Sequence, residues 1–139
     1  MKKILVDTNI VLDVLLSREP WLSASSAIWA AVENGQVKGY LAAHAVTTIF
    51  YMVSRSEGAE SARQILSEVL RDFHVAAVND PIIRRAAMDS WSDFEDGVTT
   101  EAAIAARCDF IVTRNPADFA RSPLPVLMPE AALLRIGLL

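Results

Sequence analysis

The apolar run Ile4-Leu5-Val6 stops at Asp7, with Thr8 and Asn9 directly behind it. Farther along, Asp89, Asp93, Glu95, Asp96 and Glu101 crowd one stretch, DSWSDFEDGVTTE. A third polar cluster, Thr113-Arg114-Asn115, follows the apolar run FIV. Carboxylates packed this closely repel one another and raise each other's pKa unless a cation intervenes. Asp and Asn oxygens suit a hard cation such as Mg²⁺ or Mn²⁺, which uses few carboxylates and keeps several waters. Such an ion lowers the pKa of a bound water and offsets the charge of a phosphodiester transition state. The competing explanation is helix capping, because Asp is a favoured N-cap and a helix N-terminus stabilises anions. Capping alone needs one or two acids, fewer than this stretch supplies.

These clusters gain meaning from the elements that must position them. KILV reads as a short buried strand, and the apolar spacing of IVLDVLL as a helix starting just after Asp7. A second helix follows Pro20 through WLSASSAIWAAVEN, stopped by Asn34-Gly35. VKGYLAA is strand-like, and HAVTTIFYMVSR is a helix ending near Gly58. AESARQILSEVLRDF is amphipathic, with Ile65, Leu66, Val69 and Leu70 on one stripe. HVAAV is a strand. Asp80-Pro81 opens a helix to about Trp91, with the carboxylate as cap and Pro at the first helical position. EAAIAARC is an Ala-rich helix, FIVT a buried strand and PVLM a final strand, and Pro129 opens the last helix. Apolar strands separated by helices argue for an α/β fold, a parallel sheet covered on both faces. Ligands in such sheets bind beyond the carboxyl ends of the strands, where both Asp7–Asn9 and Thr113–Asn115 fall.

Composition narrows the chemistry. With 139 residues, 53% hydrophobic and 22% charged, the chain suits one folded domain, residues 1–139, with a substantial core. Lys2 and Lys3 before an apolar stretch imitate a secretory signal, but Asp7, Thr8, Asn9 and Asp13 interrupt it. No run approaches a membrane span, so a soluble, cytoplasmic protein is expected, with no membrane partner. One cysteine, Cys108, and two histidines, His44 and His74, exclude an internal disulfide and argue against zinc. A net charge of −4 argues against a non-specific nucleic-acid coat.

Taken together, VDTNIVLD at the first strand, DFEDG before an Ala-rich helix and IVTRNPADF after a late strand resemble the PIN-domain family in order and spacing. The branch they resemble contains the VapC-like toxin ribonucleases of bacteria. The resemblance implies a three-layer α/β/α sandwich with a mainly parallel sheet. It also implies a metal-dependent endoribonuclease, the toxin of a toxin–antitoxin pair, acting on RNA, using Mg²⁺ or Mn²⁺, and partnered by a small antitoxin and a second copy of itself. By the same resemblance, Asp7 is the first metal-binding aspartate and Asn9 the polar residue beside it. Asp96 is the acid of the late helix, with Asp93 as the adjacent candidate. Asn115 stands where many members carry a further aspartate, and Asp118 is the nearest charged substitute. The family's glutamate after the second strand is absent, and Thr47 or Thr48 takes its place. Two neutral residues where acids are expected imply one weakly held metal on Asp7 and Asp96. They also motivate an alternative, a catalytically weak or inactive PIN-like module that binds RNA or a partner.

Other polar residues have simpler readings. Asp13 reads as a solvated helix residue, and His44 as a cap or hydrogen-bonded surface residue. Glu95 reads as solvent-facing or arginine-paired. Thr113 is either packing at the core edge or a hydroxyl ligand to the site. Arg114 either contacts a substrate phosphate or balances the acids. Arg18, Arg107, Arg114 and Arg121 are the basic candidates for a phosphate. Trp21, Trp29 and Trp91 read as core or interface anchors. A receiver domain or a haloacid-dehalogenase-type phosphatase fits poorly. The only lysines, Lys2, Lys3 and Lys38, are all early, and Asn9 stands where such a phosphatase needs a second aspartate.

Overall fold

The structure is a computed structural model and describes residues 1–139. Strands β1 (Lys3–Val6), β2 (Lys38–Ala42), β3 (His74–Ala76), β4 (Phe110–Val112) and β5 (Val126–Leu127) form one sheet in the order β3-β2-β1-β4-β5. Every pairing is parallel, and Leu5 of the central strand lies between Tyr40 and Ile111. Strand side chains alternate between faces. In β1 both faces are fully buried, with Ile4 and Val6 in one core and Leu5 in the other. That is why the run is continuously apolar instead of alternating.

The helices are α1 (Thr8–Leu15), α2 (Leu22–Glu33), α3 (Ala43–Glu57), α4 (Ala59–Asp72), α5 (Asp80–Met88), α6 (Phe94–Ala105) and α7 (Pro129–Ile136). Ile10, Ile28, Ile49, Val69 and Leu133, from α1 to α4 and α7, pack with Ile4, Val6, Phe110 and Val112. On the other face, Ala102 and Ala103 of α6 meet Leu5 and Ile111, and their small side chains let the helix lie close to the sheet. Ile82 and Ala86 carry α5 onto Val98 of α6. The result is the layered α/β arrangement expected from the apolar strands. No helix is long and apolar enough to cross a membrane.

The strand order positions the site. From β1 the chain steps outward through β2 and β3, then returns to lay β4 on the other side of β1. The connections therefore diverge between β1 and β4, the switch point where open parallel sheets form ligand crevices. The Asp7 amide donates to the Val112 carbonyl (2.9 Å), and the Thr113 amide to that of Leu127 (3.0 Å), so both strand tips are tied down.

Several local expectations need correction. Asn79, not Asp80, caps α5, its side chain accepting from the Ile82 amide (3.2 Å), while Asp80 pairs with Arg84 on the surface. The α5 helix also ends at Met88, short of Trp91. Leu70 of α4 is 43% exposed instead of sharing the buried stripe with Val69. The largest difference is that α6 begins at Phe94, ahead of its Ala-rich part. Asp93 caps it by accepting from the Glu95 amide (2.9 Å), so Glu95 and Asp96 occupy its first turn. Gly97 makes this start possible, because a Cβ there would come within 2.7 Å of the Trp91 ring. Trp91 in turn stacks edge-on against Phe119.

Candidate active site

The carboxyl tips of β1 and β4, the start of α6, one turn of α3 and a 3-10 turn at Pro116–Phe119 surround a cleft of about 300 Å³. Five carboxylates line it: Asp7, Asp93, Glu95, Asp96 and Asp118. Thr8, Asn9, Thr48 and Asn115 line it too. Acids up to 111 positions apart in the chain therefore share one wall-to-wall space, while Asp89 and Glu101 do not line it.

Asp7 ends β1 in extended conformation and precedes the first residue of α1. Its Oδ1 accepts from the Thr8 amide (2.9 Å), and its Oδ2 from the Thr113 hydroxyl (2.9 Å). The usual N-cap bond, from the second or third helical amide, is not made. Thr113 is fully buried and also accepts from the Asn115 amide (3.1 Å), so it links the tips of β1 and β4. The Thr113 side chain is thus both buried at the edge of the core and bonded to Asp7. Burial raises the Asp7 pKa above the usual carboxylate range, and the Glu95 charge adds to the rise. The Thr113 and Thr8 hydrogen bonds and the Arg114 charge oppose it.

Asp96 is pushed up to about 7, first by burial and then by the charges of Asp93, Asp7, Asp118 and Glu95. Neighbouring carboxylates disfavour the ionised form of Asp96, as like charges in one cleft do. No three acidic, histidine or cysteine side chains converge tightly enough to form a metal's ligand shell among themselves. On α3, Thr48 faces the cleft while Thr47 is exposed, and both hydroxyls turn back toward the His44 carbonyl. Of the two threonines, Thr48 is therefore the one that lines the cleft. Glu95 is exposed and lines the cleft without an arginine partner. His44 does not cap α3, but it is hydrogen-bonded as expected. It is half-buried in the first turn of α3, its Nε2 3.3 Å from the Thr99 hydroxyl, and burial lowers its pKa.

Asp13 is the clearest correction. It is completely buried, not solvated. Arg114 reaches it from the end of β4: Nη2 donates to Oδ1 (3.0 Å), and Nε makes a close contact with Oδ2 (2.8 Å) outside hydrogen-bond geometry. Ser25 donates to Oδ2 as well (3.2 Å). The Trp21 ring covers the guanidinium, its centroid 3.9 Å away. Arg114 therefore does not line the cleft, and the charge it chiefly balances is that of Asp13. The sequence held a signal: Asp13 lies inside the apolar run IVLDVLL, three residues after the buried Ile10. Its partner is 101 positions away, which no local pattern reveals. Arg107 and Arg121 are exposed and outside the cleft, whereas Arg18 lines it.

The PIN domain family profile matches residues 3–117. A search of curated protein sequences gives no match. Among solved structures, VapBC2 from Rickettsia felis, bound to a promoter DNA fragment, is 16% identical, covering 91% of this chain and 98% of that one, with a TM-score of 0.67. FitAcB from Neisseria gonorrhoeae is 20% identical, with 91% and 98% covered and a TM-score of 0.69. VapC20 from Mycobacterium tuberculosis, a sarcin-ricin loop cleaving toxin, is 14% identical, with 78% and 86% covered and a TM-score of 0.62. These likenesses concern the fold. With a family match over most of its length and a shared fold around an acidic crevice, the chain belongs to the PIN domain family.

Proposed function

We infer that this chain is a metal-dependent endoribonuclease, the toxin of a toxin–antitoxin pair, hydrolysing RNA phosphodiester bonds. PIN domains are typically divalent-metal-dependent nucleases. The observation that carries the reading for this chain is the convergence of Asp7, Asp93, Glu95, Asp96 and Asp118 on one cleft at the sheet's switch point. Asp7 and Asp96 are the residues that would hold the ion, since Mg²⁺ needs only one or two carboxylates and takes waters and substrate oxygens besides. When bound, the ion supplies an activated water and offsets charge on the phosphoryl group. Thr113 holds the Asp7 carboxylate in place, and Asp93, Asn115 and Asp118 are proposed to orient waters and substrate around it. The test is cleavage of structured RNAs in Mg²⁺ or Mn²⁺, with a chelator as control. Cleavage that persists in chelator sinks the reading.

Two further results are expected. Thr48→Glu adds a full charge facing the cleft and should tighten Mn²⁺ binding by about tenfold or more, read by calorimetry. An unchanged affinity would show that position 48 lies outside the ligand sphere. Stability should also depend on pH. Asp96 binds its proton more tightly folded than unfolded, so its contribution is greatest below its unfolded value of 3.8 and is lost as pH rises through about 7. Asp7 acts in the same sense. The metal-free protein should therefore melt at a lower temperature at pH 8 than at pH 5.5, and Mg²⁺ should shrink the difference by binding the ionised pair. Thermal melts in chelator and in Mg²⁺ read this directly.

The lack of three converging ligands favours one specific second reading, a PIN-like module that binds RNA or a partner without turnover. Turnover that disappears with Asp7→Asn excludes it. Cytoplasmic RNA, a small antitoxin and a second copy of the chain are the proposed partners.

A further inference from the structure

An acidic cleft that takes RNA needs something to receive a phosphate. Arg18 is the one Lys or Arg among the residues lining it. We propose that Arg18 is the phosphate-binding residue of this cleft, held in place by Asn9, and that it contacts one backbone phosphate of single-stranded RNA; this rests on the ribonuclease reading.

The geometry around it carries the assignment. Asp13 is the nearest acid, but its carboxylate is already engaged by Arg114 on both oxygens and by Ser25. Arg18 approaches Asp13 only to 4.0 Å, so its charge is poorly neutralised there. Its one side-chain hydrogen bond goes from Nη1 to the Asn9 Oδ1 (3.3 Å), a neutral acceptor that orients the guanidinium without cancelling its charge. A guanidinium carries five N–H donors, so most remain free for a phosphate, whose geometry the planar fork matches. The backbone is set as well. The Arg18 amide donates to the Asp13 carbonyl (2.9 Å), and Ser17 before it takes a left-handed conformation (φ 51°), which turns the chain out of α1 toward the cleft. Asn9 thus becomes a positioning residue for Arg18, and Asp13 with Arg114 forms the buried base on which both rest.

The experiment measures binding of a short fluorescent oligoribonucleotide by anisotropy over a series of NaCl concentrations. Ca²⁺ replaces Mg²⁺, and intact RNA is verified on a gel. Arg18→Ala should weaken binding about tenfold at low salt. It should also reduce the slope of log K against log[salt] by about 0.7, the share of one phosphate contact on a single strand. Arg18→Lys should keep the wild-type slope, because the charge remains. Arg107→Ala, exposed and outside the cleft, should change neither. A purely structural Arg18 would lower the melting temperature of Arg18→Ala and leave the slope alone. RNA binding with an unchanged slope in a folded Arg18→Ala overturns this assignment and leaves the ribonuclease reading intact. A wild-type protein that binds no RNA overturns both.

Discussion

Asp7→Asn is expected to abolish RNA cleavage, by at least two to three orders of magnitude, since a metal ligand supports several kcal/mol (about 3–4) of transition-state stabilisation. The same change should raise the melting temperature of the metal-free protein. Both effects come from one carboxylate. Asp7 is mostly buried, burial raises its pKa, and the nearby Glu95 charge disfavours its ionised form. Asparagine is nearly isosteric and removes that charge. Its Oδ1 can still accept from the Thr8 amide, and its Nδ2 can donate to the Thr113 hydroxyl, which now accepts from Asp7's replacement instead of donating to it. The buried Thr113 hydroxyl proton loses its acceptor, a cost smaller than the relief of removing a buried charge. The pairing of lost activity with gained stability separates a functional acid from a structural one. Activity retained within a few-fold of wild type would remove Asp7 from the site, and a large drop in melting temperature would make it a structural residue.

Arg114→Met should strongly destabilise the fold. It leaves Asp13 completely buried with Ser25 as its one close partner, because Arg18 stands 4.0 Å away. Breaking a buried ion pair on one side costs about 3–5 kcal/mol. For a domain of this size that is a fall of about 10–20 °C in melting temperature. The stacking of the guanidinium on Trp21 is lost too. The double change Asp13→Leu with Arg114→Met should recover most of the loss, since an apolar pair of similar volume has no charge to desolvate. Equal destabilisation in the single and double variants would mean that the contact with Trp21, not the ion pair, dominates. Denaturant titration of the three proteins decides this.

These two changes mark what was legible and what was not. Asp7 was legible because its signal is local: an apolar strand run ends, and a carboxylate stands at the tip. The rule that parallel sheets collect ligands there does the rest. The acidic stretch of Asp93 and Asp96 and the polar tip at Asn115 stand out by the same local logic, while Asp118 is singled out only by the family resemblance. Asp13 was misread because burial is not a property of a residue's neighbours in sequence. Its environment is made by Arg114 and Trp21, which only the return of the chain to β4 and the turn into α2 bring to it. The start of α6 was misplaced for a related reason. Gly97 lowers helix propensity, yet the absence of its side chain is what admits the Trp91 ring and lets the helix begin early.

By itself, the sequence determined the element types, their order and the positions of the acids, because hydrophobic periodicity and strand-tip breaks are local patterns. The strand order was decided only by the tertiary structure, and with it the convergence of Asp7 and Asp96, the choice of Thr48 over Thr47, and the division of labour between two arginines. Each of these depends on which distant groups share a low-dielectric space. Arg114 is spent on a buried charge and Arg18 is left facing the cleft, and nothing within a few residues of either one encodes that difference.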